Sequence, residues 1–166
     1  MNDPTQPTPD QPNSLADATD TWIAVVRAYN ECTATLSQNL EPFGVTLLQH
    51  EILMNLAREP GLTQQHLSDR CFSAKSGISM IVARFVKDGL VERKRAPKDH
   101  RAWSLSLTAS GDALAAKTKA VQDDVVREMA KALTPNELAL VGDRMDQASA
   151  LLREMRSGND ALAHKG

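Results

Sequence analysis

The stretch Ser73–Thr108 reads SAKSGISMIVARFVKDGLVERKRAPKDHRAWSLSLT, and its reading decides the fold. Ile78, Ile81, Val82 and Phe85 recur at helical spacing and give one apolar face. Ser73 is placed to cap that helix, and Gly89 to end it in the left-handed conformation. Two runs with a period of two follow, LVERKR and AWSLSL. In the second, Trp103, Leu105 and Leu107 alternate with Ser104 and Ser106 as in a half-buried strand. The segment between them, APKDHR at 96–101, is too polar for a core and reads as a turn. A helix followed by a basic hairpin is the layout of a winged helix-turn-helix, which sets the helix in a DNA major groove and the hairpin beside it.

The second face of this helix carries Lys75, Ser76, Ser79, Met80, Ala83, Arg84 and Lys87, with no acidic residue before Asp88. A face made only for solubility mixes signs in i,i+4 pairs. Hydroxyls and cations alone suit base edges and phosphates. At the turn, Asp99 and Arg101 can pair, holding the guanidinium ready for a narrow minor groove, with Lys98 beside them. Taken alone, that pair is equally a surface ion pair worth less than about 1 kcal/mol.

Outward from this stretch, the pattern predicts a first helix over 14–39. Its positions Leu15, Ala18, Trp22, Val25, Tyr29, Cys32 and Leu36 step alternately by three and four, a narrow seam suited to another long helix. The segment EPFG at 41–44 breaks it. Thr46 and Gln49 form a capping box for a second helix, with Leu48, Ile52, Leu53 and Leu56 inward. Thr63 caps a short third helix. Beyond the hairpin, Thr108 caps a fifth helix, and Thr134-Pro135-Asn136-Glu137 opens a sixth with proline at its favoured first position. That last helix carries a second narrow seam, Leu138, Val141, Met145, Ala148, Leu152 and Met155. Two matched seams are more than a small lobe can bury, so the expected assembly is a homodimer whose terminal helices interlock. Its two-fold axis would set two reading helices roughly 34 Å apart on a pseudo-palindromic duplex.

Composition agrees with one such chain of 166 residues. At 42% hydrophobic and 4% aromatic, its core is aliphatic. The net charge of −2 is unevenly spread. From Arg58 to Arg101 ten Lys and Arg face five Asp and Glu, a local +5, so the rest carries −7. That is the footprint of a protein meeting a polyanion with one face. No apolar run is long enough for a membrane span. The start, MNDPTQPTPDQPNS, has neither a basic end nor an apolar stretch and reads as a disordered tail rather than a secretory signal. A cytoplasmic location is expected. Cys32 and Cys71 are too far apart in sequence to make a metal pair and read as small packing residues. No glycine-rich phosphate loop, nucleophile elbow or HExxH is present, and His50, His66 and His164 have no spaced partners, so neither an enzyme nor a cofactor is expected.

The segments GVTLLQH (44–50), PGLTQQHLS (60–68), DGLVER (88–93), PKDHRA (97–102) and LTASG (107–111) together resemble the MarR-type transcriptional regulators of bacteria and archaea. The likeness is strong from Gly44 to Gly111 and extends to the flanking helices by layout. It implies a homodimeric winged-helix repressor, less often an activator, governed by a small ligand or an oxidant. Ser73, Lys75, Ser76, Ser79 and Arg84 would lie at the major groove or its phosphates, and Asp99 and Arg101 would be the wing pair. This chain departs from the pattern at Gly77, where a hydroxyl or β-branched residue is common, and at Met80 and His100, where arginine is. Gly77 loosens the helix by about 1 kcal/mol relative to alanine. In the family an effector pocket lies between dimer helices and DNA lobe; Trp22, Tyr29, His50, Met54 and Arg58 are conceivable lining residues, although core packing explains the apolar ones equally well. Peroxide-sensing members carry a reactive cysteine near the start of the first helix, where this chain has Ala16.

The expected fold is therefore mainly α with a small β-hairpin wing. It comprises a disordered tail (1–13), an N-terminal dimerisation helix (14–40), a winged helix-turn-helix DNA-binding domain (41–108), C-terminal dimerisation helices (109–157) and a flexible tail (158–166). The expected function is that of a sequence-specific binder of double-stranded DNA, a ligand-responsive repressor. The alternatives are a winged-helix module that binds protein, or a thiol-based redox sensor using Cys32 or Cys71.

Overall fold

The computed structural model describes residues 15–95 and 103–163, with side chains to residue 157. Its elements are α1 (Leu15–Leu40), a 3-10 turn (Glu41–Phe43), α2 (Leu47–Arg58), α3 (Gln64–Arg70), α4 (Lys75–Lys87), β1 (Val91–Arg95), β2 (Trp103–Leu107), α5 (Ala109–Ala130) and α6 (Pro135–Ala163). The fold is the expected one, mainly helical with a single antiparallel pair of strands. The expected tail over residues 1–13 lies outside the described residues. At the other end, α6 runs on to Ala163, into the expected tail of 158–166, whose last three residues lie outside the described ones. Gly158 and Asn159 are weak helix formers, but neither removes a backbone donor as proline does.

The chain divides into two compact units, Met1–Val125 and Val126–Gly166. The first holds the core. Ile52, Leu53 and Leu56 of α2, Leu67 of α3 and Ile78, Ile81, Val82 and Phe85 of α4 pack with Val91, Leu105 and Ala115. A satellite cluster joins Leu36 and Leu40 of α1 to Val125, with Cys32, Leu47 and Val121 around it. Helix ends follow local chemistry. Thr46 and Gln49 close a reciprocal capping box. Thr63 makes a second one with His66, whose Nδ1 serves where a glutamate or glutamine is usual. At the end of α4, Gly89 (φ +71°) forms a Schellman turn: its N–H donates to Val86 and that of Leu90 to Phe85.

Ser73 departs from its expected role. The cap residue of α4 is Ala74, and no side chain accepts from the first turn. Ser73 is instead tied to the end of α3: its carbonyl accepts from Ser68 Oγ at 2.6 Å, and its N–H donates to the Ser68 carbonyl at 3.2 Å. The preceding residue, Phe72, takes φ +45°, which steers the chain from α3 into α4.

In the strand pair, Val91 faces Leu107, Arg93 faces Leu105 and Arg95 faces Trp103. Leu62, in the α2–α3 loop, adds one bridge on the far side of β2; the Leu105 N–H donates to its carbonyl at 2.9 Å, and Gly61 donates to the Leu105 carbonyl at 2.8 Å. Thr108 then makes a corner. Its Oγ1 donates to the Gly89 carbonyl (2.6 Å) and accepts from the Gly111 N–H (3.2 Å), while its own N–H reaches the Leu90 carbonyl (3.0 Å). A Cβ on Gly111 would stand 2.0 Å from the Leu90 oxygen, so this crossing is closed to any other residue without a shift.

The second unit, taken alone, is dominated by α6. Thr134 and Glu137 form its capping box, and Pro135 holds the first position. Along the predicted seam, Leu138, Val141, Met145, Leu152 and Met155 are all exposed in the single chain.

Candidate nucleic-acid interface

Burial of Ile78, Ile81, Val82 and Phe85 fixes the rotation of α4, because these four cover its inner stripe. The opposite face is therefore determined: Lys75, Ser76, Ser79, Met80, Ala83, Arg84 and Lys87 are all exposed. Of the residues expected at a groove, Lys75, Ser76, Ser79 and Arg84 share this face. Ser73 lies before it, half-buried at the helix entry. Arg84 Nε lies 3.5 Å from Asp88 Oδ2, so its charge is partly engaged along its own helix. Because Ser73 does not cap α4, the N–H groups of the first turn keep no side-chain acceptor and stay available next to Lys75.

Against α4 packs β1, with three successive cations whose roles the sequence left unassigned. Arg93 is half-buried and its Nε has no hydrogen-bond partner; Lys94 Nζ holds Glu92 at 2.7 Å; Arg95 lies over the Trp103 ring, 4.2 Å from the centroid. The clue was the register: Arg95 pairs with Trp103 across the strands, and an aromatic opposite an arginine is a cation–π site. Lys98, Asp99 and Arg101, together with His100, lie outside the described residues.

The candidate ligand residues divide. A cleft of about 600 Å³ opens between α2 and residues 112–123 of α5, and Met54, Ala57 and Arg58 line one wall. Asp112, Ala115, Ala116, Lys119, Gln122 and Asp123 line the other. Lys119 is held by both carboxylate oxygens of Asp123 at 2.6 and 2.8 Å. His50 sits one contact behind the wall, only 2% exposed, with Nε2 3.1 Å from the Gln122 carbonyl oxygen. That contact makes Nε2 the protonated nitrogen and leaves Nδ1 a buried acceptor without a partner. Burial lowers the affinity of the ring for a second proton, and the Gln122 bond only partly offsets it. Met54 and Arg58 thus line the cleft, and His50 backs it. Trp22 and Tyr29 do not line it; they project from α1 at 64% and 65% exposure. Gln122 and Asp112 were missed in the sequence because they face the cleft across a fold that joins positions far apart in the chain.

Neither cysteine is set up for thiol chemistry. Burial, aided by the negative charge of Glu51, pushes the Cys71 thiol up to about 11, and Asn55 Nδ2 lies 3.7 Å from its sulfur. Cys32 is half-buried against the Leu36 cluster. The redox-sensing alternative has no support here. Among the described residues no group of His, Cys, Asp and Glu is arranged to hold a metal, and no helix is long and apolar enough to cross a membrane.

With this geometry in view, residues 43–102 match the model of the MarR family. The transcriptional regulator HosA of Escherichia coli O111:H- is 30% identical over 96 residues, an overlap of 58% of this chain and 71% of HosA. The chain belongs to the MarR family. The chain spans 60% of the length of the uncharacterised HTH-type regulator of Bacillus cereus that it matches at 28% identity. The homoprotocatechuate degradative operon repressor of Escherichia coli is 25% identical over 132 residues, 80% of this chain and 84% of that one. Among solved structures, AbsC, a MarR family regulator of Streptomyces coelicolor, superposes with a TM-score of 0.73 at 24% identity, covering 90% of this chain and 99% of AbsC. A MarR family protein of Mycobacterium tuberculosis, solved with p-aminosalicylic acid, gives 0.63 at 21% identity over 76% of this chain and 96% of that one. These likenesses establish for this MarR chain the same winged-helix fold.

Proposed function

We propose that this MarR family member is a sequence-specific regulator of transcription. As a homodimer, it binds a pseudo-palindromic stretch of double-stranded DNA and acts as a ligand-responsive repressor in the cytoplasm, with no catalytic activity. The observation that carries the reading is the outer face of α4, cations and hydroxyls without an acidic residue before Asp88, next to the β1 cations. Lys75 and the uncapped first turn of α4 suit a phosphate. Ser76 and Ser79 suit base edges, and Arg84 suits a phosphate once it leaves Asp88. Ser73 positions the helix entry. Lys98 and the pair Asp99–Arg101 take the minor groove in this reading.

The exposed seams of α1 and α6 support the homodimer, since a strip of Leu, Met and Val along a long helix is costly to leave in water. Ligand response rests on the α2–α5 cleft with Met54, Arg58 and, behind it, His50; the Mycobacterium tuberculosis relative was solved with a small aromatic acid. Trp22 and Tyr29 would join such a site only from a dimer. The repressor assignment follows the Escherichia coli operon repressor.

Selection of bound sequences from random and genomic DNA, followed by titration at increasing salt, tests this reading. A regulator yields an enriched two-fold motif and an affinity that falls steeply with salt through counterion release. Arg101→Ala should weaken binding with little change in melting temperature, and Lys75→Ala should reduce both affinity and salt slope. A chain that enriches no sequence and shows no salt-dependent DNA binding is instead a protein-binding winged helix.

A further inference from the structure

The middle of the α4 outer face has an unusual chemistry. Met80 is 71% exposed, with Ser76 one turn before it, Ser79 beside it and Ala83 one turn after. All three neighbours are too short to cover it. The lysines of the face lie away from this centre: Lys75 is five residues before Met80 and Lys87 seven after, about 7.5 and 10.5 Å along the axis. Arg84, on the next turn, is engaged with Asp88. The middle of the helix therefore presents a thioether and methyl groups beside hydroxyls, and the one cation within a turn, Arg84, is drawn away toward Asp88.

The four base pairs differ in what they show in the major groove. Guanine offers two acceptors that arginine or lysine fork best, whereas thymine offers a single acceptor and a methyl group that favours apolar contact. A flexible, polarisable methionine side chain adapts well to such a methyl. We propose that Met80 is a specificity-determining residue that reads a thymine methyl at the centre of each half-site, so that this chain prefers T·A pairs there and not guanine. The inference rests on the regulator reading above and deepens it by assigning a base class to one residue. Scattered apolar residues are common on surfaces. Met80 differs in its setting: it is the one large apolar side chain on an otherwise hydroxyl-and-cation face.

The test uses the full-length chain and the duplex it enriches, with each thymine in turn replaced by deoxyuridine, which removes only the methyl group. The expected result is a central thymine whose replacement weakens wild-type binding about fourfold per half-site, the effect of one methyl leaving apolar contact. The same replacement should leave Met80→Ala unaffected, while Met80→Arg should shift the enriched base to guanine. Because Met80 is exposed, both variants should keep the wild-type melting temperature. The inference is overturned if wild type enriches guanine at the centre, or if deoxyuridine costs wild type and Met80→Ala the same. Enrichment of no sequence at all would overturn the regulator reading with it, whereas a clear motif with no methyl effect would overturn the Met80 assignment alone.

Discussion

Gly111→Ala sets two effects of opposite sign against each other. Gly111 lies in the first turn of α5, where alanine is normally favoured by about 1 kcal/mol. Here the new Cβ would stand 2.0 Å from the Leu90 carbonyl oxygen, 3.0 Å from its carbon and 3.2 Å from Leu107 Cδ2. The obstacle is backbone, which cannot swing aside as a side-chain tip does. Relieving it means moving α5 off the Gly89–Leu90 turn, at an overpacking cost of about 1–3 kcal/mol. The same movement lengthens the 3.0 Å bond from the Thr108 N–H to Leu90, removing about 1 kcal/mol more. The net loss is about 1–3 kcal/mol, which for a chain of this size lowers the melting temperature by about 2–12 °C. Thermal melts by circular dichroism, at equal protein concentration because association shifts the midpoint, measure it. Gly142→Ala is the control: it lies inside α6 with nothing near its would-be Cβ, so it should gain up to about 1 kcal/mol. A Gly111→Ala chain at least as stable as wild type would refute the close-crossing argument.

Other changes test separate parts of the molecule. Phe72 is 85% exposed and held at positive φ, a conformation costing about 1–2 kcal/mol that asparagine tolerates better. Phe72→Asn should therefore stabilise by about 1 kcal/mol, and a melt at or below the wild-type value contradicts this. His50 has its proton affinity lowered by burial, so the unfolded chain takes up protons first, and stability present above pH 6.5 is lost as pH falls through the lowered folded value. Urea midpoints should fall from pH 7.5 to 5.5 more in wild type than in His50→Gln; equal falls would show that other groups set the dependence. Cys71, at about 11, is only about one part in a thousand thiolate at pH 8. In a Cys32→Ser chain it should resist a thiol reagent until urea unfolds the protein, and rapid native labelling would argue against that burial. Leu152→Glu puts a charge in the exposed α6 seam and should elute as a monomer; an unchanged elution volume would remove α6 from the proposed interface.

What the sequence made legible was mostly local. The boxes at Thr46–Gln49 and Thr134–Glu137 and the turn at Gly89 depend on residues within one helical turn, so their spacing alone discloses them. The inner stripe of α4 was equally plain, because four large aliphatic and aromatic residues at helical spacing leave one way to face a core. Ser73 failed for the converse reason. Its serine chemistry suited a cap, but a hydrogen bond from Ser68 ties it to the preceding helix. His66 as a capping partner, Leu62 against β2 and Gln122 beside His50 were hidden likewise. Each depends on an unusual residue in a familiar role or on a contact across the fold.

The Leu62 bridge bears on how this chain behaves before it finds any partner. A two-stranded ribbon has two open edges, and each is a template on which another copy can pair. Leu62 occupies the outer edge of β2, beside the apolar Leu105 and Leu107. Among the described residues, the edge left open belongs to β1, where Glu92, Arg93, Lys94 and Arg95 follow one another. Two copies meeting there would bring rows of cations together. The same charges that suit a polyanion thus also guard the ribbon against stacking with its own kind, and replacing them with neutral residues would trade solubility for filament-like association.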